Sequence, residues 1–119
     1  MQRPLQITFR GMRHSDAIED HVRRRAAELD QYYGRVTGCH VTVEAPHQHQ
    51  HKGHLYSVRV DVRLPDGEVV ASRTGRRDHA HEDVHVAVRD AFSAAVRQVE
   101  DYARRRRGMV KRHTLPAKP

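Results

Sequence analysis

The chain is 119 residues long, 37% hydrophobic and 5% aromatic, which suits one domain with a modest core and excludes two. Its single cysteine excludes an intramolecular disulfide, and neither a secretory signal nor an apolar run of the ~18 residues that a membrane helix needs is visible. We therefore expect a cytoplasmic protein that has no contact with a membrane.

The net charge of +7 belongs to one end of the chain. Residues 1–103 hold 15 Lys and Arg together with all 15 Asp and Glu, so the other seven of the 22 basic residues lie in the last 16 positions, without an acid. A run of this kind attracts phosphates through long-range electrostatics and counterion release. A solvated tail that only aids solubility is the alternative interpretation.

The first predicted elements are a strand and a helix. Apolar and polar residues alternate over 5–10, which indicates a strand with one wet face that ends at Gly11. Ser15 or Asp16 can cap a helix whose apolar stripe recurs at steps of four and three over 18–33.

Three further strands are predicted after this helix. Residues 39–44 and 56–64 alternate apolar and polar side chains. The PDG at 65–67 is a turn signal, from which EVVAS at 68–72 returns as a fourth strand of undetermined facing. These consecutive strands are expected to be antiparallel, with an apolar inner face and a polar outer face.

A loop and a long helix complete the pattern. Residues 74–83 have no period and end at Asp83, which is the expected helix cap. An apolar stripe follows over 84–102, and the helix is expected to include the arginine cluster at 104–107 and to stop at Gly108.

The predicted order is β-α-β-β-β-α, an α+β domain in which two amphipathic helices cover one face of a four-stranded sheet. This architecture resembles the double-stranded-RNA-binding fold with a strand added at its start. The domain is expected to span 1–107, and 108–119 to form a basic, disordered tail. Fold analogy by itself does not give function.

No catalytic or cofactor site is predicted. Cys39 and His40 are neighbours on a strand and point to opposite faces, so they cannot act as nucleophile and base. The chain has no glycine-rich phosphate loop, nucleophile elbow or HExxH motif. We expect a protein that is not an enzyme and that takes no cofactor or small-molecule substrate.

The histidine-rich segment EAPHQHQHKGH, at 44–54, joins the second and third strands. If it is extended, His47, His49 and His51 project on one side at roughly 6.5 to 7 Å spacing, which would let them share a metal ion. The alternatives are a solvated loop tip, or a contact to phosphate that strengthens when the histidines are protonated. A metal- or pH-responsive regulator that binds a protein partner through its histidine-rich loops is the matching alternative function.

Basic side chains spread over helices, loops and tail favour nucleic-acid binding. Exposed strand faces lack aromatic side chains, which argues against a base-stacking platform and for recognition of structured RNA by shape and phosphate. Non-specific binding through the tail alone is a further possibility. The candidate RNA contacts are Arg23, Arg24, Arg25, Lys52, Arg76, Arg77, Arg89, Arg97, Arg104, Arg105, Arg106, Arg107, Lys111 and Arg112.

Five segments carry a pattern when they are taken in order: QITFRGM, SDAIEDHVRRRAAELDQYYGRV, CHVTVEA, LPDGEVVAS and EDVHVAVRDAFSAAVRQVEDY. Together they resemble the short form of the ribosome hibernation promoting factors and ribosome-associated translation inhibitors, also called sigma-54 modulation proteins. The resemblance covers about residues 5–107. Arg97, Gln98 and Val99 match the family's Arg-Gln-apolar pattern near the end of the last helix.

The resemblance implies a factor that lodges in the small ribosomal subunit, where messenger RNA and transfer RNAs would sit. It would contact ribosomal RNA, block translation and preserve idle ribosomes in stationary phase. Arg25 and Arg97 stand where family members carry a basic helix residue. Glu28, Ala94 and Asp101 stand where relatives often have Lys, and His85 replaces a common Tyr. These differences move the expected contacts towards the loops and the arginine cluster. The chain ends without the dimerisation domain of the long form, so ribosome pairing through that domain is not expected.

Overall fold

The computed structural model of the protein describes residues 5–45, 56–74 and 83–114, leaving aside the side chains of residues 74 and 108–114. Within these ranges, no helix is both long and apolar enough to span a membrane. The predicted α+β class and β-α-β-β-β-α order are confirmed. Six elements follow one another: β1 (Gln6–Arg10), α1 (Asp16–Tyr32), β2 (Gly38–Glu44), β3 (Ser57–Leu64), β4 (Gly67–Thr74) and α2 (Val84–Thr114).

The four strands form one sheet in the order β1-β2-β3-β4. β1 and β2 are parallel because α1 carries the chain back across the sheet between them, and the two following pairs are antiparallel, as predicted. The register places Val41 between Ile7 and Val60, and Val60 beside Ala71. Side chains alternate along a strand, so this apolar row lies on one face. The facing of β4, which the sequence left open, follows from it: Ala71 is on the apolar side and Val70 on the other.

The core lies between this face of the sheet and the two helices. Each fully buried Val or Leu side chain contributes about 1.5–3 kcal/mol. Both helices pack on the same face of the sheet, as predicted, and among the described residues the other face is left without a helix. The largest fully buried side chains are Val22, Leu29, Val36, Val41, Val43, Val58, Val60, Val62, Val88 and Val99.

Helix α1 begins with one of the two caps that the sequence offers. The Ser15 Oγ accepts a hydrogen bond from the Ile18 backbone N–H at 3.3 Å. Asp16 and Glu19 lie in the first turn, near the positive end of the helix dipole. Ser15 rather than Asp16 is therefore the N-cap.

Helix α2 begins where the sequence predicts and ends later. The Asp83 Oδ1 accepts a hydrogen bond from the His85 backbone N–H at 2.9 Å, which confirms Asp83 as the cap. The predicted stop at Gly108 is wrong, since the helix continues to Thr114. One glycine costs a helix only about 1 kcal/mol, and the arginines, methionine and lysine around it favour helix. The division of the chain into domain and tail after residue 107 stays a prediction.

Gly11, directly after β1, has a backbone conformation that other residues rarely adopt. Its φ is +69°, and a Cβ added to it would lie 2.6 Å from the Ala45 carbonyl oxygen. The backbone around Gly11 is held close to Ala45 by a hydrogen bond, which the Ala45 backbone N–H donates to the Arg10 carbonyl oxygen at 3.0 Å. Gly11 therefore lets the ends of β1 and β2 stay together.

Replacing Gly11 with Ala should lower the free energy of unfolding by about 1–2 kcal/mol or more, because the left-handed φ and the contact with Ala45 both oppose a Cβ. Gly34→Ala is the matched control. A Cβ at Gly34 would meet no atom within 4 Å, so we expect no loss there. Urea unfolding followed by circular dichroism measures both variants, and equal midpoints would contradict this role of Gly11.

Cys39 lies buried on β2, as the sequence predicts. Burial, and secondly the negative charge of Asp61, raises the pKa of its thiol to about 12. Because only the thiolate reacts, we expect a thiol reagent at about pH 8 to label the native protein no faster than the protein unfolds. The urea-unfolded chain, which should react at once, is the control. A native labelling rate that rises in proportion to reagent concentration would show instead that the thiol is accessible.

Candidate nucleic-acid interface

The sheet face without helices is balanced in charge. Its cavity of about 470 Å³ is lined by basic and acidic side chains together. Two of them already pair, since Arg59 Nε lies 3.2 Å from an Asp61 carboxylate oxygen. This face therefore does not favour a polyanion. The strand register places on it three basic and three acidic residues, Arg10, Arg59, Arg63, Glu44, Asp61 and Glu68.

Positive charge concentrates on α2. Helix α1 holds three arginines and five acids, whereas α2 as far as residue 107 holds six arginines and three acids. The predicted RNA contacts on α1 thus stand in an acidic helix, and the strongest attraction for phosphate lies towards the end of α2. The six arginines are Arg89, Arg97, Arg104, Arg105, Arg106 and Arg107.

A groove separates the exposed sides of the two helices. One part, of about 170 Å³, is lined by Arg25, Glu28, Leu29, Tyr32, Phe92, Ser93 and Val96, and a second part, of about 340 Å³, by Tyr32, Tyr33, Glu100, Ala103, Arg104 and Arg107. We call both parts together the interhelical groove. Tyr32 is 52% exposed and donates its phenol hydrogen to Glu100 Oε2 at 2.6 Å, and this bond raises the pKa of Tyr32. The groove therefore brings three of the predicted contacts, Arg25, Arg104 and Arg107, to one surface.

The predicted arginines differ in whether an acidic side chain of the protein already pairs with them. Arg24, Arg97 and Arg107 are exposed and form no ion pair with a residue that the structure describes. Arg105 donates through Nε to the Asp101 carbonyl oxygen at 3.4 Å. Exposed ion pairs contribute only about 0–1 kcal/mol each, so phosphate can replace the carboxylates. Those pairs are Arg23 with Glu19 at 2.7 Å, Arg25 with Glu28 at 3.5 Å, Arg89 with Asp90 at 3.1 Å, Arg104 with Asp101 at 3.0 Å, and Arg106 with Asp66 at 2.6 Å.

Asp66, in the turn between β3 and β4, holds the arginine-rich part of α2 against the sheet. It accepts a hydrogen bond from the Tyr102 hydroxyl and forms an ion pair with Arg106. We call these three residues the Asp66 clamp. The Tyr102 ring also packs over Gly67, where an added Cβ would lie 3.3 Å from the ring. Sequence reasoning explained the PDG turn locally, and nothing in the sequence indicates that its Asp contacts a residue 36 positions away.

The structure also brings His85 into contact with His21, a residue that no sequence pattern singles out. His21 Nδ1 and His85 Nδ1 lie 2.8 Å apart, and the Arg25 Nε–H donates to His21 Nε2 at 3.4 Å. Burial, followed by the positive charges of His85, Arg25 and Arg24, lowers the pKa of His21. Only the packing of α1 on α2 brings together two residues that are 64 positions apart.

A second cluster, at the start of α1, is explained by ion pairing. His14 Nε2 lies 2.5 Å from Glu19 Oε1, and His14 Nδ1 lies 3.5 Å from Asp16 Oδ1. Within the described ranges this is the one group of three side chains with metal-ligand spacing, and all three are at least partly exposed. Arg23 also binds Glu19, and the hydrogen bond from His14, then that from Arg23, lowers the pKa of Glu19. The cluster is therefore an ion-paired helix start.

The remaining predicted site residues lie beyond what the structure describes. The helical backbone of α2 includes Lys111 and Arg112, but their side chains are not among the described ones. The possible RNA contacts there, and the alternative of a metal- or pH-responsive regulator built on the histidine loop, stay predictions. Outside the described residues are His47, His49, His51, Lys52, Arg76 and Arg77.

Comparisons with known proteins agree with this fold. The family model described as sigma 54 modulation protein / S30EA ribosomal protein matches residues 5–107. A ribosomal subunit interface protein from Coxiella burnetii is similar in structure, with a TM-score of 0.67 and 15% identity over 83% of this chain and 96% of that chain. The N-terminal domain of Protein Y from Thermus thermophilus has a TM-score of 0.65 and 22% identity, over 86% of this chain and 99% of that chain. No curated protein sequence matches the chain significantly.

Replacing Asp66 with Asn should loosen the end of α2, because the ion pair with Arg106 is lost and the acceptor for Tyr102 is weaker. The expected loss in the free energy of unfolding is at most about 1 kcal/mol, since both charged groups are partly exposed. Amide hydrogen exchange over residues 100–107 should rise more than elsewhere in the chain. Glu68→Gln removes an acid from the same hairpin and should change nothing. If both variants exchange as the original chain does, the clamp does not hold the helix.

Proposed function

The chain belongs to the sigma 54 modulation protein / S30EA ribosomal protein family, and from this membership we propose that it binds the small ribosomal subunit and inhibits translation by occupancy. It contacts ribosomal RNA in the channel where messenger and transfer RNAs would sit, and it stabilises the idle ribosome. This action takes place in the cytoplasm and needs no catalytic group, cofactor or small-molecule substrate.

The unequal charge of the two faces of the domain supports this proposal most directly. The described end of α2 is cationic and borders the interhelical groove, whereas the open sheet face carries equal numbers of acids and bases. A phosphate backbone is attracted to the first surface and not to the second. The helix side therefore meets RNA, and the sheet side faces away.

The first contacts come from arginines that need not break an ion pair within the protein before they bind phosphate. Arg24, Arg97 and Arg107 are exposed and form no ion pair with a described residue. Arg25 has two long contacts, an ion pair with Glu28 at 3.5 Å and a hydrogen bond to His21 at 3.4 Å, so it exchanges weak partners for phosphate. The tyrosine exposed in the groove offers a ring face to an unpaired base, which phosphate contacts alone do not provide.

The arrangement favours recognition of RNA shape over RNA sequence. The described arginines are spread along two helices rather than gathered at one point from which they could read base edges. Structured RNA with closely spaced phosphates suits such a surface. Ribosomal RNA has this character throughout the subunit.

Changing both Arg97 and Arg107 to Gln should weaken binding to purified small subunits and reduce its salt dependence. Each phosphate contact that is lost lowers the slope of log affinity against log salt by about one, so we expect a fall of about two. Arg23→Gln is the comparison: Arg23 must first give up its 2.7 Å ion pair with Glu19, so we expect a smaller fall than for either exposed arginine. Co-sedimentation at several salt concentrations measures both quantities.

This experiment tests two hypotheses separately: that the protein binds the small subunit, and that Arg97 and Arg107 contact its RNA. If the original chain does not sediment with small subunits even at low salt, the proposed function is wrong. If it does, and the double variant keeps its affinity and slope, the function stands and other side chains contact the RNA.

A further inference from the structure

Two histidines bridge the two helices, and one of them is hydrogen-bonded to Arg25, a proposed RNA contact. His21 on α1 and His85 on α2 have their ring centroids 4.9 Å apart, with the ring planes tilted by 31°. Their Nδ1 atoms lie 2.8 Å apart. His85 is exposed and His21 half-buried, so solvent and ions reach the pair.

The hydrogen bonds define which nitrogen carries the proton. The Arg25 Nε–H donates to His21 Nε2, so that nitrogen has a free lone pair and the neutral His21 ring carries its hydrogen on Nδ1. This Nδ1–H then donates to His85 Nδ1, and His85 carries its own hydrogen on Nε2. The two rings thus share one hydrogen between the two Nδ1 atoms. When a metal ion takes its place, this hydrogen moves through solvent to His21 Nε2, which gives up its 3.4 Å bond from Arg25, and both Nδ1 lone pairs become free to bind the ion.

The distance between these nitrogens is close to that of a chelated metal ion. Two imidazole nitrogens that bind one tetrahedral zinc ion at about 2.0–2.1 Å lie about 3.3 Å from each other. The observed 2.8 Å needs an opening of about 0.5 Å, which a small rotation of the exposed His85 ring supplies. We propose that His21 and His85 form a binding site for a divalent transition metal ion that prefers imidazole, such as Zn²⁺, with water in the other coordination positions.

The surrounding charges indicate an exchangeable ion and not a permanent one. Arg24 and Arg25 oppose a cation at His21, and Glu28 offsets part of their charge. The described residues bring no third ligand within coordinating distance of the pair, because the one described cluster of three lies at the start of α1. A structural zinc site usually has four protein ligands, so this two-ligand site binds more weakly.

The consequence of binding is a metal link between the two helices. The ligands are 64 positions apart and meet only in the folded chain, so the ion binds the native state and stabilises it. Histidines close in sequence, such as His47, His49 and His51, stay close in the unfolded chain as well. An ion bound by them binds both states and contributes much less to stability.

Urea unfolding with and without Zn²⁺ tests the site on the protein alone, without ribosomes. At a hundred-fold excess of Zn²⁺ over its dissociation constant, the folding equilibrium constant of the original chain should rise about 100-fold. His21→Gln and His85→Gln should each lose this rise. His14→Gln removes an exposed histidine from the cluster at the start of α1, and it should keep the rise. Each variant is compared with its own metal-free curve, so a change in stability caused by the substitution itself cancels.

Either of two results would overturn the proposal: no zinc-dependent rise in the original chain, or the same rise in His21→Gln and His85→Gln as in the original chain. Because RNA takes no part in the measurement, these results leave the proposed ribosome binding untouched.

Discussion

The apolar contact between one face of the sheet and the two helices determines how the rest of the molecule is arranged. Valines of β2 and β3 and the apolar stripes of α1 and α2 exclude water from this layer. A charge placed there would lose its hydration, so charged side chains lie on the two outer surfaces. On the sheet surface acids and bases balance, whereas on the helix surface α2 is cationic. The core thus keeps the two charged surfaces on opposite sides of the domain, and the cationic one supports the proposed RNA binding.

Short-range contacts then decide which of the positive charges a partner can use. The Asp66 clamp binds Arg106 into the fold, and Glu19 binds Arg23. Other arginines, such as Arg97, extend into solvent without a described ionic partner. Both kinds have the same formal charge, and composition cannot tell them apart. The distinction arises because a carboxylate within about 4 Å competes with phosphate for the same guanidinium group.

The sequence by itself determined the elements and their order, because each has a local cause. Period-two and period-3.6 apolar patterns are properties of neighbouring residues, and the caps at Ser15 and Asp83 act within a single turn of helix. The same local reasoning failed at Gly108, where the preference of glycine for helix ends was outweighed by helix-forming neighbours. It was also insufficient at β4. Val69 and Val70 are both apolar, so the sequence does not show which of them points to the core.

Only the tertiary structure determined which residues of different elements contact each other. The contact of Asp66 with Tyr102 spans 36 positions and that of His21 with His85 spans 64, and neither leaves a mark on the local pattern. The sequence marks nine of the basic side chains described on the two helices as candidates, but it does not distinguish among them. Four of the ion pairs that distinguish them lie within one helix. The Arg106–Asp66 pair, the His21–His85 contact and the interhelical groove depend instead on distances between elements. Local sequence encodes the elements, while these distances exist only after the core has formed.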